Sequence, residues 1–366
     1  MLHEVVGQEA IKQRMLRSVQ QNRVPHAQLI LGNMGHGSLA LALAYAKLLT
    51  CQQPSDQDAC GECSSCRKNT TFTHPDVHFS FPFPSSSGDT ASDLLGPWRE
   101  QLSESLYFTY EDWMSHLGSE NKQGNIPVKE CRAIIKSLSL KPFESARKIL
   151  ILWMPEFLGH EGNVLLKMIE EPQAGTIFLL VAEKTERILN TILSRTQALR
   201  IPPLQISDVA LALEQRGIEA SSAARAAQLC QGDFRQALHL IDQVQSPYFE
   251  SWKGFLGHAY TKKMDQVAAW ADEAGSLGRE GLKAYMQYGL ALLRAALLHE
   301  YVDQRPEWSQ QEGEFLDKFL KLNVSIDAMD RMVGQLELAL YEIERNGNAK
   351  MILTTLGYGI SKNIRN

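Results

Sequence analysis

The sequence lacks the features of a membrane-spanning or secreted protein. No apolar run approaches the ~18 uncharged residues that a transmembrane helix needs. The first residues, MLHEVVGQEAIKQR, contain acidic side chains and no apolar core segment, so we do not expect a signal peptide. Only six cysteines occur among 366 residues, which favours a reducing compartment over a disulfide framework. We therefore expect a cytoplasmic protein with no membrane segment.

An excess of positive charge is also missing. The formal net charge is −5, whereas a dedicated nucleic-acid-binding protein is usually basic. This argues against autonomous DNA binding, although a local basic face inside an assembly is compatible with the composition. The length and the hydrophobic fraction of 44% predict two or three globular domains.

The segment QLILGNMGHGSLALALAYAKLL has the layout of a phosphate-binding loop but lacks its reactive side chains. A short apolar run predicts a strand, a turn with Gly32, Gly35 and Gly37 follows, and an Ala/Leu-rich stretch predicts a buried helix. In such a loop a lysine contacts the β- and γ-phosphates, and a hydroxyl contacts Mg²⁺. Here the lysine position is Ser38 and the hydroxyl position is Leu39.

The second half of the ATP chemistry is missing as well. The apolar run from Lys148 to Trp153 predicts a central parallel strand. An ATPase of this architecture carries acidic residues for Mg²⁺ at the end of such a strand. This strand is followed by Met154 and Pro155, and we interpret the single acid that comes next, Glu156, as a solvated residue. We expect no ATP hydrolysis by this chain, and its binding of ATP is in doubt.

Four of the six cysteines form a cluster with metal-ligand spacing: Cys51, Cys60, Cys63 and Cys66. Four thiolates satisfy tetrahedral Zn²⁺, and a closed four-ligand site is structural rather than catalytic. An iron–sulfur cluster is an alternative, but the C-x3-C-P ending of the bacterial ferredoxin pattern is absent. A redox C-x-x-C pair is favoured less.

The remaining chain divides by composition. Residues 85–124 are polar with scattered aromatic residues, and we interpret them as a peripheral insertion of loop and one or two short helices. Pro202 and Pro203 mark the end of a first, α/β domain. Helical periodicity alone follows, in a small segment at 204–246 and a longer one at 247–366.

In this order, the motifs resemble the bacterial DNA polymerase III clamp-loader family, and within it the delta-prime subunits. Two departures are a threonine, Thr196, in place of the usual cysteine after Ser194-Arg195, and an insertion longer than the family's connection. The similarity extends from residue 3 to about residue 245, and its motifs are Val6-Gly7-Gln8, Pro25-His26-Ala27, the glycine loop, the four-cysteine loop, Thr73-His74-Pro75-Asp76, Asn163-x-Leu165-Leu166-Lys167-x-x-Glu170-Glu171-Pro172, Thr191-Ile192-x-Ser194-Arg195 and Gly232-Asp233-Phe234-Arg235-x-Ala237-Leu238.

The resemblance implies an AAA+ fold. Its α/β domain, a P-loop-type parallel sheet, covers residues 1–203 with a zinc loop at 51–66 and the insertion at 85–124. A helical lid follows at 204–246, and an all-α collar for oligomerisation follows at 247–366. The implied partners are the motor subunits and the delta subunit in a hetero-pentamer, the sliding clamp and, indirectly, primed DNA.

The resemblance also assigns roles to residues. Gly32, Gly35, Gly37 and Ser38 become a degenerate phosphate loop. Arg235 lies in the second sensor motif, and Arg195 becomes an arginine finger for the ATP site of the next subunit. The implied protein is a non-hydrolysing stator of the clamp loader, within a DNA-directed DNA polymerase holoenzyme. An ATP-hydrolysing motor subunit of the gamma/tau type and a zinc-dependent enzyme are the alternatives.

Overall fold

The computed structural model describes residues 1–120, 122–242, 247–298, 310–322, 324–345 and 347–364. The chain forms two compact units: a first unit of Met1–Ala212 with Gln231–Gln236, and a second unit of Leu213–Cys230 with Ala237–Asn366. The expected three-part division at 203 and 246 stays a prediction. Its second boundary adjoins residues 243–246, which lie outside the described residues.

The first unit contains a five-stranded parallel sheet with the order β2-β3-β4-β1-β5. Register places Ala27 of β1 opposite Phe178 of β4, and Gln28 opposite Gln197 of β5. The expected α/β fold with a parallel sheet is confirmed. The strand bounds are β1 Ala27–Leu31, β2 Val77–Ser80, β3 Lys148–Trp153, β4 Thr176–Ala182 and β5 Gln197–Arg200.

Nine α-helices begin among the described residues of the first unit's long segment, 1–212. Residues 159–170 are α-helical only in their second part, because a 3-10 helix, Gly159–Leu165, comes directly before α7. The bounds are α1 Glu9–Gln20, α2 Ser38–Thr50, α3 Ser64–Thr70, α4 Leu95–Glu104, α5 Tyr110–His116, α6 Val128–Ser139, α7 Leu166–Glu170, α8 Asn190–Leu193 and α9 Ile206–Glu214. Further 3-10 helices cover Leu2–Glu4, Met34–His36, Ala91–Leu94, Pro155–Phe157 and Thr185–Arg187.

Burial of the central strands explains their composition. Every residue of β3 and β4 is buried, so after their first residues, Lys148 and Thr176, both strands are apolar rather than alternating. On one face of the sheet, α2 packs on β1, β3 and β4, and nearly all of its side chains are buried. This packing accounts for an Ala/Leu helix with no polar face.

The segment 85–124 is not peripheral, and the expectation of a surface elaboration is wrong. Its Trp98, Phe108 and Trp113 are buried and form an aromatic cluster with Phe81 and Trp153. Ring centroids lie 4.1 Å apart for Phe81–Trp98 and 5.3 Å apart for Trp98–Trp153. The aromatic residues are scattered in sequence because α4 and α5 supply them from separate helices and the loop between, and their buried surface outweighs the polar composition around them.

The motif His74-Pro75-Asp76 has a structural role in the first unit. The buried carboxylate of Asp76 accepts hydrogen bonds from the backbone N–H groups of Phe143, Glu144 and Ser145, at 2.6, 2.9 and 2.8 Å. It thereby fixes the turn between α6 and β3. The phenyl ring of Phe143 at this turn is 81% exposed.

The second unit is entirely helical within the part that the structure describes, as its periodicity predicts. Its core is rich in aromatic residues: Phe255 stacks on Trp270 at 3.8 Å, and the Trp252 indole donates to the Tyr285 carbonyl at 2.9 Å. No helix among the described residues is long and apolar enough to cross a membrane. The bounds are α10 Ala220–Leu229, α11 Phe234–Asp242, α12 Pro247–Tyr260, α13 Met264–Gly275, α14 Gly278–Leu298, α15 Gln310–Leu320, α16 Ile326–Glu344 and α17 Ala349–Asn363, α11 beginning in the first unit.

Candidate functional site

The glycine loop connects β1 to α2, as in a phosphate-binding architecture. Gly37 adopts φ +91°, a left-handed conformation that glycine takes without strain, and α2 begins directly after it. Ser38 stands where the lysine is expected. Its side chain is buried, and its Oγ donates to the Gly32 carbonyl at 3.2 Å, so it points back into the loop.

The backbone N–H groups of the loop donate to acceptors within the protein. In a working phosphate loop these groups point at the ligand. Here most have acceptors already: Gly32 N donates to Ala182 O at 3.0 Å, Met34 N to Glu183 Oε1 at 3.2 Å, Gly35 N to Asn33 Oδ1 at 2.9 Å, His36 N to Asn33 O at 2.9 Å and Gly37 N to Met34 O at 3.3 Å. The loop is therefore closed by the chain's own oxygen atoms.

Glu183 is one of those acceptors, and the sequence analysis did not single it out. It follows β4 directly, at the carboxyl edge of the sheet where the loop also lies. Burial raises the pKa of Glu183, and the nearby carboxylate of Glu156 raises it further. The expectation that Glu156 is solvated is wrong. Its Oε2 is buried, and its Oε1 accepts from the N–H groups of Glu183 and Lys184, at 2.7 and 2.9 Å, and so positions Glu183.

Asp233 is a second carboxylate that occupies the loop. A Cβ atom built onto Gly35 would lie 1.9 Å from Asp233 Oδ1, so only glycine permits this approach. The same oxygen accepts from Gln236 N at 2.9 Å at the start of α11. Two acidic side chains thus lie where a phosphate loop would receive an anion.

The position of the missing Mg²⁺ ligands is filled by an indole and a thioether. Trp153 ends β3, is fully buried and donates from Nε1 to the sulfur of Met34 at 3.2 Å. Met154 adopts φ +56° and is also buried. Tyr107 closes the other side, since its ring lies 3.3 Å from a Cβ built onto Gly37. The segment 85–124 therefore packs against the end of β3 and beside the glycine loop.

Arg235 of the second sensor motif is engaged by the same segment. Its Nε and Nη2 donate to the two carboxylate oxygens of Asp112 at 2.5 and 2.7 Å, in a bidentate pair. Burial alone would raise the pKa of Asp112, but the hydrogen bonds and charge of Arg235 lower it. Asp112 also accepts from Thr109 N at 2.8 Å at the start of α5. Arg235 thus joins the start of α11 to α5.

A cleft adjoins the glycine loop and encloses about 690 Å³. Its lining combines loop residues with acidic and basic side chains, so no single charge sign dominates it. The lining residues are Ile11, Leu31, Gly32, Asn33, His36, Glu183, Lys184, Thr185, Glu186, Arg200, Ile201 and Pro202.

Arg195 lies between α8 and β5 and is about one-third exposed. Its guanidinium forms an ion pair with Glu170 at the end of α7. Its Nη1 also donates to the Thr191 carbonyl at 2.8 Å and to Ser194 Oγ at 3.0 Å. The Arg195–Glu170 ion pair therefore links two of the sequence motifs. In the free chain the Arg195 guanidinium is engaged by residues of its own subunit.

The four cysteines converge as their spacing predicts. Their sulfur atoms all lie within 4.8 Å of one another, with Cys51–Cys60 at 3.5 Å and Cys60–Cys66 at 3.8 Å. Tetrahedral Zn²⁺ with Zn–S bonds of ~2.3 Å requires S–S separations of about 3.8 Å. Cys63 N donates to the Cys60 sulfur and Cys66 N to the Cys63 sulfur, both at 3.4 Å. The arrangement can hold a tetrahedral metal ion.

The thiols of this cluster differ in acidity. Burial opposes ionisation of Cys63, yet backbone N–H groups of Gln52 and Cys66 lower its pKa to about 6. Burial and the neighbouring thiols raise the pKa of Cys66. Asp58 anchors the loop by accepting from Leu2 N at 3.1 Å and from Ala59 N at 2.7 Å. Backbone N–H groups lower the pKa of Cys60 as well, so Cys60 and Cys63 ionise more readily than Cys66.

Sequence reasoning missed three residues that shape the glycine loop: Glu183, Asp233 and Asp112. A signal existed for Glu183, because a polar residue directly after a buried parallel strand lies at the ligand edge of the sheet. Asp233 lies within a motif that the sequence analysis identified, but its contact with the glycine loop was not predicted. No local signal identified Asp112.

Comparison with known proteins gives the following similarities. A family model described as DNA polymerase III, delta subunit matches residues 7–205. DNA polymerase III subunit delta' of Bacillus subtilis (strain 168) is 27% identical over 213 residues, 58% of this chain and 51% of that protein. The subunit delta' of Pseudomonas aeruginosa is 30% identical over 171 residues, 46% of this chain and 41% of that protein.

A relative with a different name is equally similar. DNA polymerase III subunit tau/gamma of Haemophilus influenzae is 27% identical over 248 residues, 66% of this chain and 30% of that protein. The chain thus spans about half, or less, of the length of these relatives.

Proposed function

This chain belongs to the family described as DNA polymerase III, delta subunit, and from that premise we propose that it is a delta-prime-like stator of the polymerase III clamp loader. In this role it assembles with the motor subunits and the delta subunit in a cytoplasmic hetero-pentamer. It helps to place the sliding clamp on primed DNA, which in this role it reaches indirectly, through the assembled loader.

The observation that carries this proposal is the closed glycine loop. The N–H groups of Met34 and Gly35 donate to side-chain oxygens of Glu183 and Asn33, and Asp233 lies against the loop. A phosphate entering here must break these bonds and meet two carboxylates. Phosphoryl transfer depends on positioning and charge stabilisation, so a site without lysine or Mg²⁺ ligands supplies little of either.

The closed loop and the missing side chains disfavour the motor-subunit alternative. Sequence identity does not separate the two, since the delta' and tau/gamma relatives are each 27% identical to this chain. The purified chain is expected to bind no nucleotide at the loop and to hydrolyse no ATP. Ser38→Lys alone is expected to restore neither, because acidic Mg²⁺ ligands remain absent after β3. Turnover by the wild type that disappears in Gly37→Val would establish a motor subunit instead.

The stator hypothesis also assigns Arg195 to a neighbouring subunit's ATP site. A guanidinium is always charged and planar, and a trans-acting arginine accelerates hydrolysis by ~10³-fold or more at its site. Glu170 pairs with Arg195 in the free chain. Assembly therefore has to exchange the Glu170 carboxylate for the phosphate of the neighbour.

Reconstituted loader tests this role of Arg195. Arg195→Ala is expected to slow clamp- and DNA-stimulated hydrolysis at the adjacent site without preventing assembly, and Arg195→Lys is expected to rescue it poorly. Arg132→Ala, at another exposed arginine, is the matched control. Unchanged turnover and clamp loading with Arg195→Ala would reduce the residue to a surface ion pair.

The four-cysteine cluster is proposed to hold structural Zn²⁺. Four protein ligands leave no open coordination position for water, which argues against a zinc-dependent enzyme. Metal analysis of the purified chain is expected to give one zinc per chain. Iron, or no metal, would contradict this assignment.

A further inference from the structure

A second cleft lies at the opposite end of β1 from the glycine loop. It encloses about 480 Å³ and is formed by one face of α1, the segment after α1 and the first residues of β1 and of the edge strand β5. The residues that line it are Ala10, Arg14, Met15, Arg17, Ser18, Gln21, Arg23, Pro25, Gln28 and Gln197.

The charge of this cleft is of one sign. Arg14, Arg17 and Arg23 line it, and no lining residue is acidic. Among the described residues, none of the three guanidiniums forms an ion pair, and Arg17 Nε donates only to the Gln13 carbonyl at 3.2 Å. Three unpaired arginines in one cleft are unexpected in a chain with a net charge of −5. Their mutual repulsion is relieved when an anion binds between them.

A buried amide without a partner lies at the same cleft. Gln28 is only 5% exposed, and its Oε1 is buried with no hydrogen-bond partner. A buried polar group of this kind costs free energy until a partner arrives. The unpartnered Oε1 is an acceptor, which a sugar hydroxyl or a base amine can satisfy but an ionised phosphate oxygen cannot; a phosphate is bound by amide NH₂ donors, which Gln21 and Gln197 also supply.

We propose that this cleft binds phosphate groups, taken either from a nucleic-acid strand or from a free polyphosphate. Guanidinium groups match phosphate oxygens in bidentate pairs. Arg14 and Arg17 lie one helical turn apart on α1 and can contact successive groups of a polyanion. The volume exceeds that of one phosphate, and three charges balance a run of phosphates better than a single carboxylate. The cleft and the glycine loop lie at opposite ends of β1, so this binding is independent of the stator role.

Fluorescence anisotropy of the full chain tests the proposal, with a labelled single-stranded oligonucleotide of about 20 nucleotides as the probe. The variant Arg14→Gln/Arg17→Gln/Arg23→Gln is expected to weaken binding at least ~10-fold at low salt. It should also lower the slope of log affinity against log salt by about 2, because each single-strand contact contributes ~0.7. Glutamine retains helix propensity, so α1 should persist, which circular dichroism checks.

The matched control removes the same charge elsewhere in the first unit. Arg132→Gln/Lys136→Gln/Lys141→Gln changes three exposed basic residues and should bind within about twofold of the wild type. Gln28→Met removes the buried amide at nearly constant shape and should weaken binding about threefold. An equal loss in both triple variants would overturn the proposal, because the effect would then be one of net charge.

Competition with inorganic tripolyphosphate distinguishes the two sources. Displacement of the oligonucleotide at micromolar tripolyphosphate assigns the cleft to free polyphosphates, and displacement only at millimolar concentrations assigns it to a strand. If the wild type binds neither probe up to about 1 mM, or binds hexaglutamate in their place, the cleft is not a phosphate site.

Discussion

The glycine loop and the four-cysteine loop both have ligand-binding sequence patterns. They differ in whether their polar atoms are paired within the chain or converge on one point. In the glycine loop, the N–H groups of Met34 and Gly35 have acceptors from the chain itself. In the cysteine loop, four sulfur atoms converge within 4.8 Å of one another, the separation that a tetrahedral metal ion can bridge. Polar groups that are satisfied internally make a fold independent of a ligand, whereas converging donor atoms make it depend on one.

Under the proposed stator role, the glycine loop serves as a structural element. A site without Lys and Mg²⁺ ligands leaves a cavity and unpaired N–H groups unless other groups replace them, and both destabilise. In this chain aromatic side chains of 85–124 are buried, and Glu183 and Asn33 accept from the N–H groups of Met34 and Gly35. Four predictions sharpen this comparison, ordered from the largest expected effect to the smallest.

Trp113→Ala tests whether the filling of the old site now stabilises the first unit. The indole is fully buried, stacks edge-on against Trp98 at 5.1 Å and donates to the Pro82 carbonyl at 2.8 Å. Its loss should lower the free energy of unfolding by about 3–5 kcal/mol. Chemical denaturation followed by circular dichroism measures this. Phe143→Ala, at an 81% exposed ring, is the control and should change stability by less than ~0.5 kcal/mol. Equal effects of the two substitutions would show that the aromatic residues of 85–124 do not stabilise the first unit.

Cys63→Ser tests the opposite dependence in the cysteine loop. It removes the most acidic of the thiols, so metal content should fall to near zero and stability by about 2 kcal/mol. The sheet should survive, because its strands do not include the loop. Mass spectrometry under native conditions reports the metal. Ser64→Ala, at the next residue in the same loop, is the control and should retain the metal ion. Full metal occupancy in Cys63→Ser would contradict a site with four cysteine ligands.

The pair Asp112–Arg235 tests the link between α5 and the start of α11. A double-mutant cycle with Asp112→Asn and Arg235→Gln should give a coupling of about 1–2 kcal/mol at pH 7. The folded pKa of Asp112 is lowered, so this stability is present above its unfolded pKa of ~3.9. It should be lost as the pH falls through the lower, folded value. A coupling that persists unchanged at pH 2 would point to packing instead of charge.

Glu183→Gln tests the carboxylate that closes the glycine loop. The folded pKa of Glu183 is raised, so the wild type loses stability as the pH rises from the unfolded pKa of ~4.3 through the folded value. The amide keeps an oxygen for Met34 N without the buried charge. The variant should therefore gain up to about 1 kcal/mol over the wild type at pH 7 and nothing at pH 4. Glu186→Gln, at an exposed position, is the control. A destabilised Glu183→Gln would show that the charge itself holds the loop.

Much of the first unit could be predicted because its signals are local. The apolar runs of β3 and β4 and the spacing of the four cysteines each specify their structure within a few residues. The α2 helix is likewise identified by an Ala/Leu stretch directly after glycine.

The closure of the site could not be predicted, since its contacts are distant in sequence. Asp112 meets Arg235 across 123 positions, and Met34 meets Glu183 across 149. Polar composition over 85–124 indicates exposure on average, and it conceals a few aromatic side chains that α4 and α5 direct inward. Composition reports a segment's mean environment, whereas a filled cavity depends on particular side chains.

The strand order has a consequence for synthesis on the ribosome. β1 lies in the sheet between β4 and β5, and its Ala27 pairs with Phe178. The first strand to be made must therefore wait for about 150 further residues before either neighbour exists, some ~8–30 s at 5–20 residues per second. During that interval the nascent chain exposes β1 and the apolar α2, and the glycine loop between them closes only when Glu183 has emerged. The contact between Met34 and Glu183 is therefore among the later ones that translation allows.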